Sequence, residues 1–326
     1  MAKKRILSGM RPTGKLHIGH YVGALENWIK LQNEYESFHL IADYHVLTTS
    51  LDCKDVYNNT LEMVIDWLAT GLDPIKSPFF RQSAIKEHTE LFLIFTMLIT
   101  SARLERNPTL KDQIRDLNLE NVTYGHLGYP VLQSADILLY KGDAVPVGDD
   151  QVPHVEITRE IARKFNNQYG LTFPEPEPVL TKFSRLMGLD GNAKMSKSLN
   201  NTILLSDKPE EVISKLKKAK TDPEKLRKND PGHPEVCLIF NYQQKFNPEI
   251  ITEIESGCRS GLLGCVDCKL KCASKMNLFL EPILEKRSFY EKNIDTVKEI
   301  IDDGEKRAKT VAETTMNEVR KNMGIG

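Results

Sequence analysis

Short β-rich runs alternate with helical patterns through the first half of this chain, and that alternation constrains its fold more than any other feature. "KRILSGM" (4–10) reads as a strand that stops at Gly9, and the stretch 18–35 beyond the loop "RPTGK" is helical in pattern. "FHLIADYH" (38–45) reads as a second strand, and "NNTLEMVIDWLATG" (58–71) as an amphipathic helix ended by Gly71. Strands alternating with helices predict a parallel sheet covered on both faces. Val155, Thr158, Ala162 and Phe165 fall at helical spacing and predict another amphipathic helix. "FPEPEPVL" (173–180) reads as a stiff extended connector, because each proline disfavours helix in the residue before it. "LFLIFTMLITSA" (91–102) is apolar on all faces and too short to span a bilayer, which predicts a buried core or oligomer-interface helix. Beyond residue 200 the strand signals fade. The last helical pattern, 291–322, puts Val297, Ile301, Ala308, Val311, Ala312, Met316 and Val319 on one stripe. The expected fold is α/β: a Rossmann-like parallel-sheet domain over 1–200, then an all-helical domain over 201–326 whose last helix packs back on the first domain.

A chain of 326 residues is long enough for two such domains. With 44 Lys and Arg against 45 Asp and Glu there is no global field of either sign, which argues against wholesale coating of nucleic acid. One local basic run remains, 214–228, with seven Lys or Arg. "MAKKRILSG" lacks the apolar stretch of a signal peptide, so the expected compartment is the reducing cytoplasm, with no membrane partner. Cysteines there favour metal over disulfides.

The strand–loop–helix at 4–20 is the first chemical signal. Gly9 and Gly14 permit close backbone approach, and the following helix begins at "HIGH" (17–20), where free N–H groups and a positive dipole end suit phosphate. His17 and His20 stand three apart on one face, and Gly19 between them leaves room for a flat base or ribose. The second signal, "KMSKS" (194–198), sets two lysines among small hydroxyl residues in a Gly- and Asn-bearing loop, which suits a polyphosphate whose charge grows during transfer. Two histidines or a lysine-rich loop alone read as ordinary surface; the ordered pair does not.

On these motifs, together with "YPVLQSADILLY" (129–140) and "VPVGDDQVPHVEITREIARKFN" (145–166), the chain resembles the tryptophanyl members of the class I aminoacyl-tRNA synthetases over essentially its whole length. The resemblance implies activation of tryptophan by ATP with Mg²⁺, transfer to tRNA(Trp), and a homodimer. It assigns catalysis to His17, His20, Lys194, Lys197 and Lys111. It assigns ATP binding to Arg11, Thr13, Gly19, His20, Gly148, Asp150, Gln151, Met195, Ser196 and Lys197. Asp136 matches the carboxylate that accepts the indole N–H, which suits a donor-only nitrogen. Tyr129, Gln133, His45, Val145, Val147 and Gln151 match the rest of the amino-acid pocket. Arg11 stands where many relatives carry Gln, and Gln133 where Met is frequent, so the pocket's polar network is expected to differ in detail.

Cys258, Cys265 and Cys268 are spaced C-x6-C-x2-C, with twenty residues between Cys237 and Cys258. Spacing alone says a four-thiolate site and leaves the metal open between zinc and iron–sulfur, beside the plain reading of buried unligated thiols. The resemblance favours a [4Fe–4S] cluster on Cys237, Cys258, Cys265 and Cys268, with zinc as the alternative; Cys272 is a spare thiol on the same helical face. Rival readings are a tyrosyl-type synthetase, a non-tRNA nucleotidyltransferase sharing HIGH, and a non-enzymatic paralogue that binds tRNA or tryptophan.

Overall fold

The computed structural model describes residues 3–116, 118–180 and 186–326. From β1 (Arg5–Met10) the chain passes through α1 (Ile18–His20), a π-helical turn at Tyr21–Leu25, and α2 (Glu26–Glu34). Next come β2 (Glu36–Ile41), α3 (Val56–Thr70) and β3 (Phe79–Arg81). Then follow α4 (Glu87–Thr96), α5 (Ser101–Glu105), α6 (Pro108–Asp116) and α7 (Tyr124–Leu139). β4 (Ala144–Val147), α8 (Val152–Tyr169) and β5 (Glu177–Leu180) complete this run. The remaining elements are helices: α9 (Pro209–Lys218), α10 (Leu238–Phe246), α11 (Ile251–Arg259), α12 (Cys265–Lys292) and α13 (Ile294–Met323). The fold is the expected Rossmann-like α/β class with a helical C-terminal region.

The five strands are parallel in the order β3-β2-β1-β4-β5. Strand order reverses direction between β1 and β4, and ligands of such sheets bind at the carboxyl ends beside that switch. β4 reads Ala-Val-Pro-Val, and Pro146 has no N–H to give; β1 and β4 pair only at Ile6–Ala144. Their carboxyl ends are therefore free of each other. In β1 the missing side chain of Gly9 admits β2, since a Cβ there would stand 2.7 Å from the Leu40 carbonyl oxygen. β2 is buried from Ser37 onward, and the ring of His39 on it stacks against Trp28 with centroids 4.8 Å apart.

Several expected elements differ in detail. The helix over 18–35 is interrupted by the π-helical turn. The strand over 38–45 ends at Ile41, because Asp43 turns the chain by accepting from Tyr44 N (3.1 Å) and Ser83 N (2.9 Å). The last four residues of the proline-rich connector form β5, an edge strand where Pro178 costs little. The apolar run 91–102 is not buried all round: Leu91 and Phe95 are in the core, while Leu93 is 58% and Met97 76% exposed.

By packing, the chain forms two compact units that differ from a break in composition at residue 200. One comprises 1–14, 24–182 and 293–326, and the other 15–23 and 183–292. The helix α13 joins the first unit through its apolar stripe: Ala308, Ala312, Met316 and Val319 lie in the core beneath the sheet. Arg81 and Glu305 form a two-pronged ion pair there (2.5 and 3.1 Å). No helix among the described residues is long and apolar enough to cross a membrane.

Candidate active site

In the first unit, α7 presents Tyr129, Gln133 and Asp136 at three- and four-residue spacing on one face, with Tyr140 capping the helix four residues on. Asp136 is 2% exposed and accepts three hydrogen bonds. Its Oδ1 receives Gln82 Nε2 and His88 Nδ1, both at 2.7 Å, and its Oδ2 receives His45 Nε2 at 2.9 Å. Burial alone would raise the pKa of this carboxyl; the hydrogen bonds from His45 and His88 outweigh burial and bring it down to about 2. Asp136 is thus an ionised, buried acceptor. Val145 and Val147 of β4 are buried, and Gln133 is half-buried.

Tyr129 is held by a second relay. Asn107 Oδ1 accepts from Leu110 N (3.2 Å), so its Nδ2 donates to His154 Nδ1 (3.2 Å). That assigns the proton to His154 Nε2, which donates to the Tyr129 oxygen at 2.8 Å. The phenolic O–H of Tyr129 is left to donate elsewhere. Burial lowers the pKa of His154 to about 4, which keeps the ring neutral at pH 7.

The second unit brings HIGH and KMSKS together. Ile18 N donates to Ile203 O and Leu205 N to Leu16 O, both at 2.9 Å, so the histidine segment is zipped to the chain just beyond the lysine loop. The rings of His17 and His20 stack with centroids 3.7 Å apart. A Cβ on Gly19 would lie 2.9 Å from His17 Nδ1 and 3.3 Å from the sulfur of Met195, so only glycine fits. Burial, then the charge of Lys197, lowers the His17 pKa to about 4. Burial, His17 and Lys197 lower His20 to about 3. Both rings are neutral at pH 7. His20 Nδ1 accepts from His17 N (3.3 Å), which places the proton on Nε2, and buried His17 Nδ1 has no partner among the described residues.

Lys194 and Lys197 are exposed, and Lys197 Nζ donates to Lys15 O at 3.0 Å. The loop is stapled by Asn201, which accepts from Ser196 N (2.7 Å) and donates to Lys194 O (3.1 Å) and Asp190 Oδ1 (3.0 Å). At its base Met187 pairs with Lys194, and the buried phenol of Tyr242 donates to Met187 O at 2.5 Å.

The remaining expected residues belong to the first unit. Arg11 donates to Thr49 Oγ1 at 3.3 Å, and Thr13 is exposed. A Cβ on Gly148 would meet Asp150 Oδ1 at 2.9 Å. Asp150 and Gln151 lie on the 3-10 turn Asp149–Gln151, and Lys111 is exposed on α6.

Residues 2–281 match the family model of class I tRNA synthetases (W and Y). A tryptophan–tRNA ligase of Thermotoga maritima is 48% identical, aligned over 98% of this chain and 99% of its own length. One from Aquifex aeolicus is 44% identical over 98% of this chain and all of its own. The tryptophanyl-tRNA synthetase of Campylobacter jejuni, solved with ADP and tryptophan, superposes with TM-score 0.87 at 34% identity, covering 98% of this chain and 99% of that one. The chain belongs to the tryptophan–tRNA ligases.

The cysteines of this ligase do not stand as the ready-made ligand set expected from their spacing. Among the described residues no three His, Cys, Asp or Glu side chains converge as a metal site. All six cysteines are free; burial raises the pKa of Cys258 and Cys268, and the nearby thiols of Cys237 and Cys265 raise both further. The thiol of Cys268 is instead turned beside Gln243 Nε2 (3.5 Å), which donates chiefly to the Cys268 carbonyl at 2.8 Å. A Cβ on Gly232 would stand 2.6 Å from Cys258 Sγ, so the chain leaves that sulfur a bare backbone neighbour. Four soft donors in one neighbourhood fit a thiophilic metal by the chemistry of the donor set. Cys272 is fully buried, and burial raises its pKa, with Cys268 and Cys237 adding.

Sequence reasoning missed Gln82, His88 and Tyr140 around Asp136, Asn107 and His154 behind Tyr129, and Asn201 and Tyr242 at the lysine loop of this ligase. Tyr140 and His154 stood in quoted motifs and could have been weighed. The others carry no pattern of their own.

Proposed function

We propose that this ligase activates tryptophan with its two sets of residues in the roles that follow. Asp136 accepts the indole N–H, with Tyr129, Gln133, His45, Val145, Val147 and Gln151 lining the amino-acid pocket. The substrate carboxylate attacks the α-phosphorus of ATP, forming the acyl–phosphate bond as the bond to pyrophosphate breaks. No protein nucleophile is required, and catalysis is positioning plus charge stabilisation. His17 and His20, neutral at pH 7, donate N–H groups to phosphate oxygens without adding a fixed charge. Lys194 and Lys197 neutralise the departing pyrophosphate, Lys197 leaving the Lys15 carbonyl as the loop closes. Gly19, Met195 and Ser196 shape the nucleotide side. Arg11, Thr13, Gly148, Asp150, Gln151 and Lys111 complete the ATP contacts, and Mg²⁺ arrives with the nucleotide. The adenylate then passes tryptophan to the 3′ end of tRNA(Trp).

The observation that carries this assignment is the joining of His17, His20 and Lys197 in one compact unit by backbone pairing and by the Lys197–Lys15 bond. Lys197→Ala is expected to slow adenylate formation by about 10²–10³-fold with tryptophan affinity nearly unchanged. Pre-steady-state pyrophosphate exchange reads the rate, and an unchanged rate would remove Lys197 from the reaction. Charging assays with tryptophan against tyrosine separate this reading from a tyrosyl-type enzyme.

The region 201–326 is proposed to bind tRNA in a cytoplasmic homodimer. Lys217, Lys218, Lys220, Arg227 and Lys228 of the basic run are exposed, whereas Lys225 is turned inward to Asp230 O (2.6 Å). Exposed Leu93 and Met97 on and beside α4 support a subunit contact, which sedimentation equilibrium tests: a monomer at micromolar concentration sinks it. Cys237, Cys258, Cys265 and Cys268 would hold a [4Fe–4S] cluster, supplying a structural clamp in the helical region. Anaerobically purified protein should be brown with broad absorbance in the visible blue; colourless protein with stoichiometric zinc selects the alternative.

A further inference from the structure

The reading of Asp136 as the indole acceptor leaves open how one carboxylate comes to present a single, correctly aimed acceptor. An ionised carboxylate has about four acceptor directions, two on each oxygen. On Asp136 both directions of Oδ1 are taken, one by Gln82 Nε2 and one by His88 Nδ1. Among the described residues Oδ2 receives only His45, which leaves one direction for a substrate donor. Of the two donors on Oδ1, Gln82 follows β3 directly and His88 lies in the first turn of α4; both side chains are 0% exposed, as is Tyr140.

The carboxylate of Asp136 fixes the tautomer of neutral His88. Its Nε2 stands 3.0 Å from the Tyr140 hydroxyl, and its Nδ1 faces an acceptor-only oxygen. Nδ1 therefore carries the proton towards Asp136, and Nε2 accepts from the Tyr140 O–H. Each group in the line Tyr140–His88–Asp136 thus has a matched donor and acceptor, with no water needed. Rotating His88 out of this line would leave both Asp136 Oδ1 and the Tyr140 hydroxyl short of a partner, which holds the ring in place; Gln82 is fixed through its Nε2 alone, its Oε1 having no partner among the described residues.

We propose that His88 and Gln82 are positioning residues that saturate Oδ1 of Asp136 and aim Oδ2 at the substrate N–H, which makes them determinants of the choice of tryptophan. They act through Asp136 and touch no reacting atom. The inference rests on Asp136 being the indole acceptor.

The test compares L-tryptophan with β-(benzothiophen-3-yl)-L-alanine, an isostere whose ring has sulfur in place of N–H, in pyrophosphate exchange with the full-length enzyme. A site built around a donor rejects an analogue that lacks it by roughly 10⁴-fold in kcat/KM. His88→Leu is expected to cut that discrimination by about a hundredfold or more, mainly by raising KM for tryptophan, with KM for ATP unchanged. His88→Asn, whose side-chain amide places a donor near the position of Nδ1, should restore discrimination to within about tenfold of wild type. Tyr140→Phe keeps the imidazole but frees Nε2 to take the proton, and should cost about tenfold in discrimination even if His88→Leu does not fold. Equal slowing on both substrates, with their ratio preserved in His88→Leu and Tyr140→Phe, overturns the proposal and makes these residues mere packing. If the wild-type enzyme, like Asp136→Asn, accepts both substrates equally, the fault lies instead with Asp136 as the indole acceptor.

Discussion

The buried histidines of the first unit differ in what surrounds their nitrogens. His88 and His154 have partners at both nitrogens, whereas His39 has none among the described residues. Burial lowers the His39 pKa to about 3. An unfolded chain takes up this proton near pH 6.5, so the folded state loses stability as pH falls from about 6.5 towards 3, and keeps it fully above that window. His39→Phe should therefore lose roughly 2–3 kcal/mol less stability than wild type between pH 7 and 4.5. Urea unfolding followed by tryptophan fluorescence is the measurement, since Trp28 and Trp67 are the chain's two tryptophans and their rings lie 4.8 and 6.1 Å from that of His39. Equal losses in both proteins would remove His39 from the acid response. At this scale, legibility followed locality. His17, His20, Lys194 and Lys197 announce themselves in short strings, and Asp136 sits in a run that matches a family. His88 and Gln82 lie 48 and 54 residues from Asp136 in sequence and meet it only through the fold.

The helices and strands were legible wherever one face decides the pattern. The stripe of α8 is such a case: Val155, Thr158, Ala162 and Phe165 are all 0% exposed. Legibility failed where a side chain competes with the backbone, as Asp43 does in ending β2, and where neighbouring strands override local preference, as with proline in β5. The helix α13 shows a third limit. Its apolar stripe is plain in sequence, but the close approach that seats it depends on one missing side chain. A Cβ on Gly304 would fall 2.0 Å from the Phe79 carbonyl oxygen on β3, a backbone atom that cannot swing aside. Glycine otherwise weakens a helix interior, so its place here reflects packing. Gly304→Ala should destabilise the first unit by about 1–3 kcal/mol or more despite the better helix former. Thermal unfolding checks the sign, and a stabilised variant would mean that α13 seats differently.

On the scale of the molecule, composition and packing divide the chain in different places. Composition changes near residue 200, where strand-forming runs give out. Packing lifts 15–23 out of the first half to join 183–292, and returns 293–326 to the sheet. No local pattern could reveal the first exchange, because it depends on backbone pairing between Leu16 or Ile18 and residues 203–205. The bonds described around the lysine loop, from Asn201, Tyr242 and Lys15, all begin and end inside that second unit, while those around Asp136 and Tyr129 begin and end inside the first. The enzyme is thus assembled like a lock whose keyway and bolt are cut from separate pieces. In the proposed roles, selection for a different amino acid can rework Asp136 and its neighbours without disturbing the bonds that hold His17, His20 and Lys197 together in the second unit. A family of activating enzymes could diversify its substrates in this way while its energy-coupling parts stay as they are.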